Sequence, residues 1–404
     1  MVTELCAAAT PIPAVSVNNN YLACAPLPNI NDDAFINLDQ GDPVVMEAYW
    51  RRMSERCTVV IKGCEFLSYL SDLSNVCWFM MPRLRDNIKR LHALVGNADT
   101  ENSHIVVGTG STQLFQAALF ALSSSSPPPH HPIHVLAASP YYSEYQDEVG
   151  VLRSGLYKWS GDALEYDKDE AFIEVVTSPN NPDGSIREAV VTRSGSEGKV
   201  IHDLAYYWPH YTPITHKASH DIMLFTFSKC TGHAGSRIGW AIVKDIEIAK
   251  KMTRFIQMSS IGVSKESQTR AAKIMEVICD SYQNFGSKES DLFFEYSKRL
   301  MKERWEKLRE VVDQNGFFSL PNFPRAYCNF TKESSETYPA FAWLKCNEKD
   351  QDCEGYLEKK LKVLARSGKR FGADASLETC PTATGTDLMK GLGKQGYDIY
   401  LIFS

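Results

Sequence analysis

The chain holds 404 residues, 44% of them apolar, which is enough for two or three domains with a sizeable core. A formal net charge of −6 over that length points away from nucleic acid and from an anionic membrane surface as partners. No apolar run approaches the roughly 18 residues that a membrane-spanning helix needs, so no membrane is expected. Eleven cysteines, an odd number without C-x-x-C pairs, imply reduced thiols and argue against a disulfide framework or a zinc site.

Residues 1–33 are rich in Ala, Pro and Asn, and the first basic residue is Arg51. They show neither the pattern of a secretory signal nor that of a transit peptide, and read as a disordered leader before a cytoplasmic enzyme. Ile36 to Pro43 (I-N-L-D-Q-G-D-P) predicts a short extended segment ending in a tight turn. Residues 46–56 predict a helix with Trp50 and Met53 inward. A clearer helix runs from Pro82 to Val95, with Leu84, Ile88, Leu91, Leu94 and Val95 in one stripe and Gly96 as its stop.

A strand–turn–helix unit follows. His104–Val107 is strand-like, Gly108-Thr109-Gly110 turns the chain, and Ser111 and Thr112 open a helix that buries Leu114, Ala117, Ala118, Ala121 and Leu122. A Gly-rich turn at a helix N-terminus offers free N–H groups and a positive dipole to an anion. Ser111 and Thr112 would serve equally as plain N-caps. One such turn without G-x-G-x-x-G suits a single phosphate, not a dinucleotide. Ser123 to Pro132 is a low-complexity loop whose two histidines have no metal-ligating neighbours.

Further strand-like runs lie at Ile133–Ala138, Phe172–Thr177, Lys199–His202, Ile222–Phe227 and Ile238–Val243. Long connections between several of them indicate an α/β fold, a mostly parallel sheet covered by helices. Polar motifs collect at four of their carboxyl ends: Pro140 to Tyr145, Ser178 to Gly184, Asp203 to Tyr206, and Ser228-Lys229. Each has a structural explanation alone, since N-P-D-G is a good turn and Tyr after Pro is a common anchor. Together they mark a site.

Within Asp221 to Trp240 an apolar strand delivers Lys229, a loop with Gly232 and Gly235 follows, and Arg237 opens the next apolar run. A lysine leaving an apolar strand can be desolvated into a nucleophilic amine, as a Schiff base with an aldehyde cofactor requires. Arg237 is always charged and fork-shaped, which suits a phosphate. The plain alternative is a solvated loop with ordinary basic residues. Beyond Ile246 the segments 246–259, 264–283 and 291–313 carry helical spacing, the last with Phe293, Tyr296, Leu300, Trp305 and Leu308 as a long linking helix. A smaller domain is expected from a strand at Ala340–Leu344 and a helix near 354–366 with Leu357, Leu361 and Leu364 inward.

The stretches S-K-C-T-G-H-A-G-S-R-I-G-W, T-S-P-N-N-P-D-G, H-D-L-A-Y-Y-W-P-H-Y and N-L-D-Q-G-D-P resemble the plant tryptophan aminotransferase and alliinase-like branch of the fold-type I pyridoxal-phosphate enzymes, over residues 36–372. The resemblance implies a large cofactor domain at 81–285 and a smaller α+β domain from 34–80, which includes a dimer arm, and 286–404. It implies that Lys229 forms the Schiff base with pyridoxal 5'-phosphate and moves the substrate's α-proton. Asp203 would pair with the pyridine nitrogen, keeping the ring an electron sink. Tyr206 and Asn181 would bind the 3′ oxygen, and Ser111, Thr112, Ser228 and Arg237 the phosphate. Tyr142 would stack on the ring, Tyr69 would reach the phosphate across a homodimer interface, and Gly41, with Asn181, would lie near the substrate.

One departure stands out. The family's closing V-R-V-S-type segment, whose Arg grips the substrate carboxylate, is missing, and Leu377 to Ser404 contains no Arg. Loss of that contact is expected to weaken substrate binding by roughly 2–5 kcal/mol and to impair activity. The resemblance implies transfer of the amino group of L-tryptophan, or a similar aromatic amino acid, to a 2-oxo acid such as pyruvate, giving indole-3-pyruvate in auxin synthesis. An alliinase-type C–S lyase and a non-catalytic dimer partner are the alternatives.

Overall fold

The computed structural model describes residues 36–373 other than 39–40, 42, 125–130, 193–197, 284–287, 289–290, 316–317, 347–357 and 360–361, together with 400–403. After the short strand β1 (Ile36–Asn37) come α1 (Glu47–Arg52) and α2 (Pro82–Val95). Then β2 (His104–Gly108), α3 (Gly110–Ser123), β3 (Ile133–Ala137), α4 (Tyr145–Gly150) and β4 (Tyr157–Asp162) lead into β5 (Phe172–Thr177) and β6 (Gly198–Asp203). The series closes with β7 (Ile222–Thr226), α5 (Phe227–Thr231) and β8 (Gly239–Val243), followed by the long helices α6 (Ile246–Ser260), α7 (Lys265–Gln283) and α8 (Phe293–Asn315).

Seven strands form the central sheet in the order β2-β8-β7-β6-β5-β3-β4. The run from β7 to β4 is parallel, and β8 lies antiparallel to both of its neighbours. The inner strands β3, β5 and β7 are buried at every residue, so they are largely apolar and do not alternate; the buried exceptions are partnered, His134 by Ser160 and Glu170, and Glu174 by the N–H groups of Val190 and Val191. The edge strand β4 was not legible in the sequence. Its Y-K-W-S-G-D mixes polar residues because only one neighbour covers it, and Gly161 within it has φ 86°.

Helix α2 begins and ends as its sequence demands. Pro82 occupies the first turn, and Gly96 closes the helix at φ 72° with its N–H on the His92 carbonyl at 2.8 Å. Leu84, Ile88 and Leu91 are fully buried, each contributing about 2 kcal/mol of transfer free energy. Helix α2 packs on α7, and α3 on α6.

Two expectations are corrected. Residues 46–56 do not form one helix: α1 is flanked by separate 3-10 turns at Val44–Met46 and Glu55–Cys57. Met53 is buried as expected, and the Trp50 indole N–H is held by the Thr231 carbonyl at 2.8 Å. Nor does the helix near 354–366 reach its end, because Val363–Leu364 is strand β13 in parallel pairing with β1; Leu357 and Leu361 lie outside the described residues. Between α8 and that point lie β9 (Phe318–Ser319), β10 (Ala326–Cys328), β11 (Glu333–Ser335) and β12 (Phe341–Cys346). Strands β14 (Arg366–Ser367) and β15 (Tyr400–Phe403) complete a second sheet, ordered β14-β15-β12-β9. Short strands whose partners are distant in the chain leave no periodic trace. Among the described residues no helix is long and apolar enough to cross a membrane.

Candidate active site

Strands β5 and β6 end together, with Thr177 paired to Asp203, and β7 runs two residues past Leu224, the partner of Asp203, to Thr226. Their carboxyl ends open into a cavity of about 490 Å³ lined by Asp203, Lys229, Ser111, Thr112, Tyr142, Asn181, Tyr206 and Gly41. A larger, mostly apolar cavity of about 1190 Å³, lined in part by His202, Tyr207, Phe323 and Trp343, takes Pro140, Ser178, Asp183 and Gly184 from the strand-end motifs but none of the residues expected to touch cofactor or substrate. Chemistry therefore selects the smaller one.

Asp203 sits at the floor. Its Oδ2 accepts from the Tyr145 hydroxyl at 2.9 Å and its Oδ1 from the Ala205 N–H at 3.1 Å. Burial raises the carboxyl above its ordinary range, and those two donors pull it back. Strand β7 stops at Thr226, one residue earlier than expected, because the Thr226 hydroxyl caps the Ser228 N–H at 3.2 Å and starts α5. Lys229 consequently stands on a helical turn. Its Nζ donates to the Gly41 carbonyl at 3.2 Å and lies 6.0 Å from the centre of the Tyr206 ring.

The end expected to receive a phosphate is built by close packing around glycine. Gly110 has φ 81°, and a Cβ there would sit 2.5 Å from Nη2 of Arg237. A Cβ on Gly239 would lie 2.7 Å from the Gly110 carbonyl carbon and 2.8 Å from the Ser111 nitrogen. Arg237, itself left-handed at φ 50°, is thus pressed against the first turn of α3, where the N–H groups lack helical partners. Thr109 gives that turn no side-chain cap. Ser228 is buried in α5; neither it nor Arg237 lines the cavity wall itself.

This donor set fits pyridoxal phosphate. An amine and a carboxylate face one cavity, and the start of α3 with Arg237 supplies a phosphate seat. Asn181 is buried with an Oδ1 that has no partner, so that acceptor is left for an occupant. Tyr142 is half-buried and edge-on to Tyr145, with ring centres 5.3 Å apart, and Tyr206 is buried. Tyr69 stands apart: it is 64% exposed, edge-on to Trp78, and lines a separate shallow pocket. The tail residues 377–399 lie outside the described residues.

Among the lining residues to which the sequence assigned no individual role, Glu144, Tyr145, Glu148 and Arg366 bear on the chemistry; Glu144 and Tyr145 lie in the Pro140–Tyr145 motif, while Glu148 and Arg366 lie outside every motif. The spacing of Tyr142, Tyr145 and Glu148, one helical turn apart each, was a usable signal. Glu148 hydrogen-bonds Thr112, and its carboxyl is pushed up to about 8 by burial and then by Asp203 and Glu144. Arg366 was hidden by the expected helix; from β14 its Nη1 donates to Ser143 Oγ at 3.1 Å and to Glu144 Oε1 at 3.2 Å.

Comparison with known proteins agrees with this geometry. The allinase family model matches residues 36–380. Tryptophan aminotransferase-related protein 2 of Arabidopsis thaliana is 53% identical over 349 residues, covering 86% of this chain and 77% of that protein. Its counterpart in Oryza sativa subsp. japonica is 51% identical over 357 residues, covering 86% and 70%. Alliin lyase 1 of Allium sativum is 36% identical over 322 residues, covering 78% and 64%. Among solved structures, an aminotransferase from Staphylococcus aureus superposes with a TM-score of 0.60 at 16% identity, covering 89% of this chain and 94% of that one. An aspartate aminotransferase from Thermotoga maritima gives 0.56 at 18% identity, covering 89% and 90%. A Lys–Asp cavity at the carboxyl ends of a seven-stranded sheet, together with these likenesses, makes the chain a member of the allinase family and an enzyme of the fold-type I aminotransferase kind.

Proposed function

We propose that the chain is a pyridoxal-phosphate aminotransferase that moves the amino group of L-tryptophan, or a similar aromatic amino acid, to a 2-oxo acid such as pyruvate. The products would be indole-3-pyruvate and L-alanine, in auxin synthesis. The observation that carries this reading is the Lys229 amine and the Asp203 carboxylate sharing one cavity at the ends of neighbouring strands. When bound, the cofactor supplies an aldehyde and an electron-withdrawing ring that acidify the Cα–H of an amino acid. Asp203, held by Tyr145 and Ala205, keeps a proton on the ring nitrogen. Arg237 and the start of α3 anchor the phosphate, and Asn181 and Tyr206 orient the ring oxygen. Lys229 Nζ takes the α-proton and returns it.

Leu38, Phe341 and Phe371, all buried, give the cavity an apolar wall that suits an aromatic side chain. The relatives named for tryptophan aminotransferase are more similar than the alliin lyase, which favours transamination over C–S cleavage. A homodimer is part of the proposal: Val60, Leu67, Tyr69 and Leu73 are 64% to 85% exposed in the segment expected as a dimer arm. A cytoplasmic location is also proposed, to be checked by fractionation.

The test is a steady-state assay of tryptophan with pyruvate against one with S-alkyl cysteine sulfoxide. Turnover of the first alone supports the proposal, turnover of the second alone points to the lyase, and turnover of neither points to a non-catalytic partner. Borohydride should trap cofactor on the wild type and not on Lys229→Ala.

A further inference from the structure

The cavity that holds Lys229 must also hold an acid. Every amino acid and 2-oxo acid arrives with a carboxylate, and a carboxylate taken from water into a partly apolar cavity needs a cation with hydrogen-bond donors. Among the described residues lining the cavity, the cations are Lys229 and Arg366. Lys229 is committed to the aldehyde and the proton. We propose that Arg366 binds the carboxylate of the amino-acid and 2-oxo-acid substrates, and that Glu144 holds its place until they arrive; this rests on the aminotransferase reading above.

The geometry provides for such an exchange. Arg366 is carried on β14, which pairs with β15, so its backbone is fixed. Its Nη1 bridges Ser143 Oγ at 3.1 Å and Glu144 Oε1 at 3.2 Å, and both residues adjoin Tyr142 and Tyr145 on the cavity wall. Arg366 and Tyr142 line the same cavity as Lys229 and Asp203, so the guanidinium shares the space that a substrate would enter. The Glu144 side chain is 44% exposed and can be released to water, whereas the Arg366 side chain is 25% exposed and stays. Replacing one carboxylate by another leaves the guanidinium neutralised throughout, so the exchange strands no charge. A planar fork also discriminates a carboxylate from a neutral amide of the same shape. Phe341 and Phe371, on the wall of the same cavity, would then receive the side chain.

Calorimetric titration of the holoprotein tests this without turnover. The ligands are indole-3-propionate, its neutral amide, and the aliphatic acid isocaproate. Wild type is expected to prefer the propionate over the amide, and Arg366→Gln to lose about tenfold to a hundredfold in affinity for the acid while binding the amide as before. Arg366→Lys, which keeps charge without the fork, is expected to fall between them. Glu144→Gln removes the competing carboxylate and is expected to bind the propionate more tightly, an arm that survives if Arg366→Gln fails to capture cofactor. No preference for acid over amide in the wild type, a preference undiminished in Arg366→Gln, or no tightening in Glu144→Gln would each overturn the proposal. A preference that vanishes in Arg366→Gln but is as large for isocaproate as for the indole acid retires the aromatic substrate and keeps the anchor.

Discussion

The Tyr145 hydroxyl donates to Asp203 Oδ2 at 2.9 Å, and Thr177 Oγ1 holds the same hydroxyl at 2.6 Å. Because that hydroxyl's proton points to Asp203, Thr177 must donate to Tyr145, and a chain of three side chains ends on the carboxylate. The chain matters because burial alone drives Asp203 toward its neutral form.

Tyr145→Phe removes one of the two donors on Asp203. The carboxyl should rise further and hold a protonated ring nitrogen less well. Cofactor affinity is expected to fall about tenfold, the worth of roughly 1.5 kcal/mol for a hydrogen bond to a charged acceptor. Fluorescence titration of the apoprotein with pyridoxal phosphate measures it, and unchanged affinity would falsify the role.

Glu148 gives a pH signature to the apoprotein. Its carboxyl sits at about 8, against an ordinary 4.5, so between those values the folded chain binds a proton that the unfolded chain releases. Stability therefore falls as pH rises through that window. Glu148→Gln mimics the neutral acid and should flatten the dependence between pH 6 and pH 9 by about 2 kcal/mol, discounted for water on its cavity side. Parallel denaturation curves for both proteins at the two pH values would remove the basis for this.

His92 predicts the opposite slope on the acid side. It is fully buried between the Trp240 indole N–H, which donates to Nε2 at 2.9 Å, and Asn97 Oδ1, 2.8 Å from Nδ1. Trp can only donate, so the ring is the neutral tautomer with its proton on Nδ1. Burial depresses it from 6.5 to about 4. Stability should be complete above about pH 6.5 and drop by about 3 kcal/mol on the way to pH 4. Urea unfolding of His92→Gln should lack this component of the acid loss, although His202, His210 and His233 are depressed in the same direction and remain.

Gly239→Ala tests the phosphate seat. The new methyl would meet only backbone, the Gly110 carbonyl carbon, the Ser111 nitrogen and the Phe225 oxygen, none of which can rotate away. A loss of about 3 kcal/mol in stability is expected, with weakened retention of cofactor in dialysis. Full stability together with full retention would show that α3 can shift without consequence.

The chain alone determined the buried strands, the helices with clear stops, and the polar motifs at the strand ends. These follow from local rules: β7 is apolar up to its last residue, Thr226, because both faces are covered, and Gly96 ends α2 because glycine turns there without strain. Lys229, Asp203 and Asn181 were legible because a polar residue at the end of an apolar strand has few other reasons to be there. Tertiary structure decided the rest. The partnership of Tyr145 with Asp203 spans 58 positions, and that of Arg366 with Glu144 spans 222. No periodicity encodes contacts at such separations, since register between distant strands is set by the packing of whole faces. For the same reason the spacing near 354–366 predicts a helix, whereas pairing with β1 and β15 makes Val363–Leu364 and Arg366 parts of strands β13 and β14.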